Sequence, residues 1–468
     1  MIAVDEKQRH ARRPPDPEGI PTLVEPGVTF TSITEQISGH VLTKKAPLAW
    51  RLIFGFGLLL LFLFVIAVWD LLVTGTGIWG LNIPVAWGFA ITNYVWWIEI
   101  AQGGTLLSAV LLVLNQGWRN SINRIAEAMT LGALTCAGLF PIIHLGRSWI
   151  AYWIFPYPNP IGVQPQFRSP LVWDVFAISS YATVSVLFWY FGLIPDLATI
   201  RDRAKTRFAQ GVYGVLAMGW RGSSTQWRIH KIGSLLLAGL ATPLVFSVHS
   251  VVSFDFSIAI LPGWHSTIFP PYFVAGAIYC GITGVLIILI PMRAVYGLKN
   301  IITERHLNNC AKIMLTMSLI LAFSYVFEPF TAWYSGDEFE MYNVYNKAFG
   351  STSWTYWTML GTVVILPQLL WWRAFRVSPK RLFTLAIIAL YGLWMERYVL
   401  MVTCLNRDYL PSSWANFVAT FWDNITLYGS IGLFLVIFLL LIRYLPMVPI
   451  AEVRELLPYS KPGGGSEQ

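Results

Sequence analysis

Nine ionisable side chains, Glu99, Glu127, His144, Asp174, His249, Asp255, Glu328, Glu396 and Arg397, fall inside long apolar stretches of this chain. A charge in hydrocarbon costs about 3 kcal/mol, so such residues are read as a binding site and a proton route. The most informative pair is His144, in Phe140-Pro-Ile-Ile-His144-Leu-Gly-Arg147, and Asp174, in Pro170-Leu-Val-Trp173-Asp174. They flank one loop that also holds Trp149, Tyr152 and Trp153. Imidazole and carboxylate are what a hydroquinone needs, because its oxidation releases two protons and a base must hydrogen-bond each hydroxyl. The same pair could instead tie two helices together. Arg147 either anchors a helix end at the headgroups or joins the ligand site.

The other charges carry similar alternatives. Glu99 in Trp96-Trp97-Ile98-Glu99-Ile-Ala-Gln102-Gly103-Gly104 shares a helix face with Gln102 and serves either as a proton carrier or as a helix tie; the Gly pair allows close helix approach. His249 and Asp255 lie six apart and do not share a tight face, yet either can accept a proton from outside. Glu328 precedes Pro329, which frees a backbone carbonyl. Glu396-Arg397 is an internal ion pair or a relay. Glu127 is the inner mouth of a path or a neighbour of Arg124.

These residues need elements that cross hydrocarbon. Hydrophobic residues make up 56% of the 468 and charged residues 12%, and the mean hydropathy is +0.58; this excludes an ordinary soluble domain. Windows of about 20 apolar residues predict an all-α polytopic protein with ten transmembrane helices, near 50–74, 85–115, 121–146, 170–195, 231–256, 271–296, 309–334, 351–376, 380–403 and 415–444. The 22 Trp and 20 Tyr suit two headgroup belts and helix packing.

The tails and even-numbered loops hold 27 of the 32 basic residues, which places both termini in the cytoplasm. The net charge of +8 is explained by that bias and by contact with anionic lipid, with no nucleic acid. Residues 1–46 are polar and Pro-rich, unlike a cleavable signal peptide, and are read as a cytoplasmic tail. Cys136, Cys280, Cys310 and Cys404 form no CxxC pair, so no iron-sulfur cluster or zinc site is expected in this chain. A b-type haem would need His144 and His249 facing each other, and it is not the preferred reading.

Five runs carry a resemblance: Trp87-Gly-Phe-Ala-Ile-Thr-Asn93, Arg119-Asn-Ser-Ile-Asn-Arg124-Ile-Ala-Glu127-Ala-Met129-Thr, His144-Leu-Gly-Arg147, Phe167-Arg-Ser-Pro-Leu-Val-Trp173-Asp174-Val-Phe-Ala-Ile-Ser179 and Ile268-Phe-Pro-Pro-Tyr-Phe-Val-Ala-Gly-Ala277-Ile. Together they resemble the NrfD/PsrC family, and within it the ActC-type quinol-binding subunit of bacterial alternative complex III, from about residue 30 to about 450. The resemblance implies two four-helix bundles, helices two to five (81–258) and six to nine (259–404), related as a repeat. A first helix (47–80), a last helix (405–446) and a cytoplasmic C-terminal tail (447–468) complete the chain.

It also implies a quinol site near the outer face of the first bundle, built from His144, Asp174, Arg147, Trp173 and Tyr152. Menaquinol or ubiquinol is then the substrate, oxidised without any haem or iron-sulfur cluster in this chain. Implied partners are a peripheral iron-sulfur protein on the outer face, multihaem cytochrome c subunits, a second NrfD-like membrane subunit and membrane lipids, in a respiratory or photosynthetic complex of the bacterial inner membrane. Proton translocation would run through Glu99, Glu127, His249, Asp255, Glu328, Glu396 and Arg397. One departure stands out: where the family carries Gly-Ile-Gly-His-Ala-Gly in helix two, this chain reads Glu99-Ile-Ala-Gln102-Gly-Gly104. Two other functions compete, a proton-coupled secondary transporter and a quinone-reactive anchor for a molybdenum-containing reductase.

Overall fold

A computed structural model describes residues 22–43, 45–155, 157, 162 and 166–457. Among the described residues the regular elements are all helices, without strands. Nine of their helices are long and apolar enough to cross a membrane.

The described part begins with α1 (Phe30–Leu42), whose Thr29 and Ser32 form a reciprocal capping box. Residues 22–43 are therefore not a loose tail. Gln36 bonds Asn300 and the Gly297 carbonyl, and Arg443 donates to the His40 carbonyl, which ties α1 across the inner face. The remainder of the two expected tails, 1–21 and 458–468, lies outside the described residues. The membrane helices follow: α2 (Leu48–Thr74), α3 (Phe89–Val113), α4 (Asn123–His144) and α5 (Pro170–Arg203). A short α6 (Arg207–Leu216) leads into α7 (Ser224–Ser257), α8 (Phe269–Val295) and α9 (Glu304–Ser335).

After α10 (Glu338–Phe349) comes the segment expected as one helix over 351–376. It is a regular helix over α11 (Ser353–Leu360), then a wide turn at Gly361–Ile365 and a tight one at Leu366–Trp371, with one more helical turn at Arg373–Arg376. Pro367 lies in the tight turn, has no N–H to donate, and clashes with the carbonyl four residues back. The segment still traverses the protein. Thr352 meets Thr403 at one end, and Arg376 bonds Asn308 at the other. Two further helices, α12 (Pro379–Thr403) and α13 (Phe421–Tyr444), complete the spans, so the described residues form nine continuous spans and one broken one. Wide turns also occur at Leu106–Val110 and Val399–Thr403.

Burial orders the helices. Of the most apolar stretch of α3, 89% is buried, against 17% for α2, so α3 is central and α2 faces lipid. The reason lies in glycine. A Cβ on Gly103 would sit 2.0 Å from the Cα of Gly281, so α3 and α8 meet backbone to backbone. The neighbouring Gly104 faces α4 instead, 2.2 Å from the Ala126 carbonyl. Small residues at such crossings allow the close approach that membrane helices use in place of a hydrophobic drive. Gly103→Ala is accordingly expected to force α3 and α8 apart and abolish detergent-stable folding, read as loss of the monodisperse peak in size-exclusion chromatography. Gly138→Ala on α4, where a Cβ meets nothing within 4 Å, should behave as wild type.

The stretch after α13 is likewise no tail. Met447, Val448, Ile450 and Val453 are at most 2% exposed, and α14 (Ile450–Arg454) lies over the inner ends of α4 and α5.

Candidate functional site

At the outer end of the first helices, α3 contributes Tyr94, α5 contributes Asp174 and α7 contributes Asp255. Pro170 opens α5, a favoured first helical position, and puts Asp174 one turn in. The Tyr94 hydroxyl donates to Asp174 Oδ2 at 3.3 Å, and Asp255 lies close enough for the two carboxyl groups to interact directly. Both residues keep a buried Oδ1 without a partner. Two carboxyls this close can share one proton. The cluster can therefore take up protons one at a time and still present oxygen atoms to a hydroxyl.

His144 is not part of that contact. Its ring stacks on Trp79 with centroids 6.4 Å apart, and its buried Nδ1 has no partner. The expected His144–Asp174 pair is thus an Asp174–Tyr94–Asp255 cluster with His144 to one side. A short loop permits the pairing but does not make it: His144 packs on Trp79 instead. Trp173 donates its Nε1–H to the Phe167 carbonyl at 2.7 Å and meets Phe254 edge-on. Arg147 and Tyr152 are exposed, Tyr152 on the short turn Ser148–Ile154 beside Trp153. The exposed Trp149, Trp153 and Phe155 extend this turn as an aromatic apron.

Trp87, Phe256, Trp264 and Phe273 pack as one aromatic group at the outer ends of α3, α7 and α8, and a second cluster lies deeper along α3, past Tyr94. There Arg397 of α12 lies fully buried, with Nη2 at 2.5 Å from Glu99 Oε1 and 3.7 Å from Glu396. The adjacent pair Glu396-Arg397 is therefore not the main contact: Arg397 reaches across to α3. Its guanidinium covers the Phe273 ring at 4.2 Å and fits because residue 276 is Gly, where a Cβ would stand 2.6 Å from Nη2. Glu396 accepts from the Tyr325 hydroxyl at 2.5 Å. His249 is wholly buried within electrostatic range of Arg397, and neither ring nitrogen has a partner. Glu99 Oε2, both polar atoms of Gln102, Glu396 Oε2 and Arg397 Nε and Nη1 also form no hydrogen bond. So many orphaned groups in one place call for internal water.

Two further clusters close the ends. On the inner side Arg124 pairs with Glu127 at 3.2 Å and with Asp196 at 3.4 Å. Asp196 also accepts the N–H groups of Ile450 and Ala451, and Arg119 bonds Glu452 at 2.7 Å. Glu127 consequently sits beneath α14 rather than at an open mouth. On the outer side of the later helices, Glu328 pairs with Lys347 of α10. Burial alone would push the Lys347 ammonium toward neutrality, and the Cys404 and Glu328 side chains outweigh it, holding the group above the usual lysine range.

Sequence reasoning misses Tyr94, Tyr325, Asp196 and Lys347. Tyr94 stands five residues before Glu99 on the same helix, a signal present in the chain. Asp196 falls one residue beyond the expected end of helix four, and Lys347 reads as an ordinary outer-loop charge. Among the described residues no three His, Cys, Asp or Glu side chains converge as metal ligands.

A fold of this kind, all-helical and spanning a membrane with buried charges at the helix crossings, defines a polytopic membrane protein with an internal polar site. The family described as "Polysulphide reductase, NrfD" matches residues 77–407, and the chain belongs to it. A curated protein of Halobacterium salinarum, named for a role as a membrane subunit of dimethyl sulfoxide reductase, is 27% identical over 233 residues, 47% of this chain and 49% of that protein. The match thus spans about half the length of that relative.

Proposed function

We propose that this chain is the quinol-binding membrane subunit of an electron-transfer complex, with its site at Tyr94, Asp174 and Asp255. The observation that carries this reading is that carboxyl cluster, at the outer end of helices inside an NrfD family region. A menaquinol or ubiquinol reaches it from the bilayer past the aromatic apron around Trp149, Tyr152 and Trp153. Asp174 and Asp255 receive the two hydroxyl protons, Tyr94 orients Asp174, and His144 and Arg147 border the approach. Two electrons leave to an iron-sulfur cluster of a peripheral partner on the outer face. Residues 81–258 form the unit that holds this site and 259–404 its repeat.

Two destinations for the electrons follow. In an alternative complex III arrangement they pass through multihaem cytochrome c subunits, beside a second NrfD-like subunit, to cytochrome c. In the other, the chain anchors a molybdenum-containing reductase, a reading favoured by the name of the halobacterial relative. The quinol protons depart outward through local water, and Glu99, Arg397, His249, Asp255, Glu396, Glu328 and Glu127 are proposed to carry further protons outward across the membrane, with internal water joining the orphaned groups.

The test is purification of the tagged chain in mild detergent, identification of co-purifying subunits by mass spectrometry, and assay of quinol-dependent reduction of cytochrome c and of dimethyl sulfoxide. Activity with multihaem subunits selects the first destination, and activity with a molybdenum subunit selects the second. A lone chain that takes up a substrate with protons, and oxidises no quinol, overturns the proposal in favour of a transporter.

A further inference from the structure

Outside these clusters, the inner face carries a basic cavity that quinol chemistry does not use. Its volume is about 200 Å³, and its lining includes Arg201, Arg221, Arg454, Trp220, Trp227 and Asp202. Three guanidinium groups face one carboxylate. Asp202 is 65% exposed at its side chain and is engaged by Arg201 Nε at 2.8 Å, so it turns to water rather than closing the cavity.

Two features of the cavity suit an anion. Arg454 keeps a buried Nε without a partner while Nη2 donates to Thr34. Burial, and after it the neighbouring Arg203, holds the Arg454 guanidinium below its usual value despite the nearby Asp196, and a bound negative charge would favour its charged form. Arg201 is meanwhile fixed in place, donating from Nη1 to the Trp220 carbonyl at 3.0 Å.

The surroundings say where the anion comes from. Trp220 and Trp227 pack edge-on at 5.0 Å, the pairing expected of an interfacial belt. Beside them α6 turns Tyr213 and Leu216 onto the protein, where Tyr213 donates to the Tyr444 carbonyl at 2.9 Å and Tyr190 to the Leu216 carbonyl at 2.8 Å. Its other side leaves Phe208, Val212 and Val215 exposed at spacings of four and three, one apolar stripe on a helix. On α7 just past the cavity, Ile229, Ile232 and Leu236 are exposed as well. An apolar stripe and a guanidinium pocket at one depth match acyl chains and a phosphate respectively.

We propose that this cavity binds the headgroup phosphate of an anionic phospholipid from the cytoplasmic leaflet, with the acyl chains lying along α6 and the inner end of α7. The bound lipid joins α5, α7, α1 and α14, because its phosphate contacts residues from the connection between the first two and from the C-terminal helix that Arg454 ties to α1.

The test uses the full chain with its co-purifying subunits, delipidated in detergent and then supplied with phosphatidylglycerol, phosphatidylcholine or inorganic phosphate. Retained lipid is counted by native mass spectrometry, and the thermal midpoint is followed. Phosphatidylglycerol is expected to remain bound and to raise the midpoint, while phosphatidylcholine does neither. Arg221→Gln should weaken phosphatidylglycerol about five-fold, and Arg221→Gln with Arg454→Gln about thirty-fold, the factors that correspond to about 1 kcal/mol per basic residue at a membrane surface. Lys299→Gln with Lys380→Gln, exposed on other inner segments, should leave binding unchanged. Should the double arginine variant fail to fold, Arg221→Glu decides alone, since its side chain is exposed. Equal retention of phosphatidylglycerol by wild type and the arginine variants overturns the proposal, as does equal binding of the two lipids. Inorganic phosphate giving the full midpoint shift would identify a free-anion site instead and also overturn it.

Discussion

Asp174→Asn is expected to lower quinol-dependent reduction by about a hundred-fold or more, with normal insertion and assembly. The magnitude is that of losing a positioned proton acceptor. Asn has nearly the shape of Asp and still accepts from the Tyr94 hydroxyl, so the 3.3 Å contact survives. What disappears is the ability to take a proton. Asp255→Asn should follow in the same direction, because the carboxyls act as a unit and either loss leaves one acceptor for two protons. Tyr94→Phe should cost less, about ten-fold, since it removes orientation but no acceptor. His144→Ala separates this site from the pair that the sequence implied: with His144 stacked on Trp79 and apart from Asp174, its loss should raise KM more than it lowers kcat. Single-turnover rates with excess quinol would show this. Full activity in an assembled Asp174→Asn complex removes the carboxyl cluster from the mechanism.

Arg397→Met is expected to destabilise the protein by about 3–5 kcal/mol, because it leaves Glu99 buried without its counter-charge. The guanidinium is also wedged against Gly276 and Phe273, so packing is lost with the charge. Removing both charges, Glu99→Gln with Arg397→Met, should recover much of that loss, since a buried pair is costly chiefly when one member is missing. The thermal midpoint in detergent measures both. The double variant then tests the proton route. If protons cross through this cluster, its proton-to-electron ratio in liposomes falls to the value set by quinol protons alone while quinol oxidation continues. A wild-type ratio in the double variant would make Glu99 and Arg397 a helix tie only, the alternative already contained in the residue pattern.

Glu99 shows how much of the site could be read from the chain. Its position mid-helix, with Gln102 on its face and a Gly pair after it, marks it as either a proton carrier or a helix tie at a close helix crossing. The partner was not predictable, because Arg397 stands 298 residues further on and any of the apolar helices could have faced it. Likewise the sequence marked both Asp174 and Asp255 as out of place in hydrocarbon. It paired Asp174 with the nearer His144, since chain proximity was the only distance information available. The broken eighth segment escaped for a different reason: a hydropathy window sums apolar residues and does not register that Pro367 and the wide turn at Gly361–Ile365 interrupt the hydrogen-bond ladder.

By itself, the sequence determined the class of fold, the approximate position of every span and the residues whose presence in hydrocarbon demands a role. Those follow from local properties, the transfer cost of each side chain and the length of each apolar run. Only the tertiary structure decided which charges meet: Asp174 with Tyr94 and Asp255, Glu99 with Arg397, Glu127 with Arg124 beneath α14, and Glu328 with Lys347. In lipid all the helices are about equally apolar outside, so partners are chosen by close packing at small residues such as Gly103, Gly276 and Gly281, and that fit exists only once the helices are assembled.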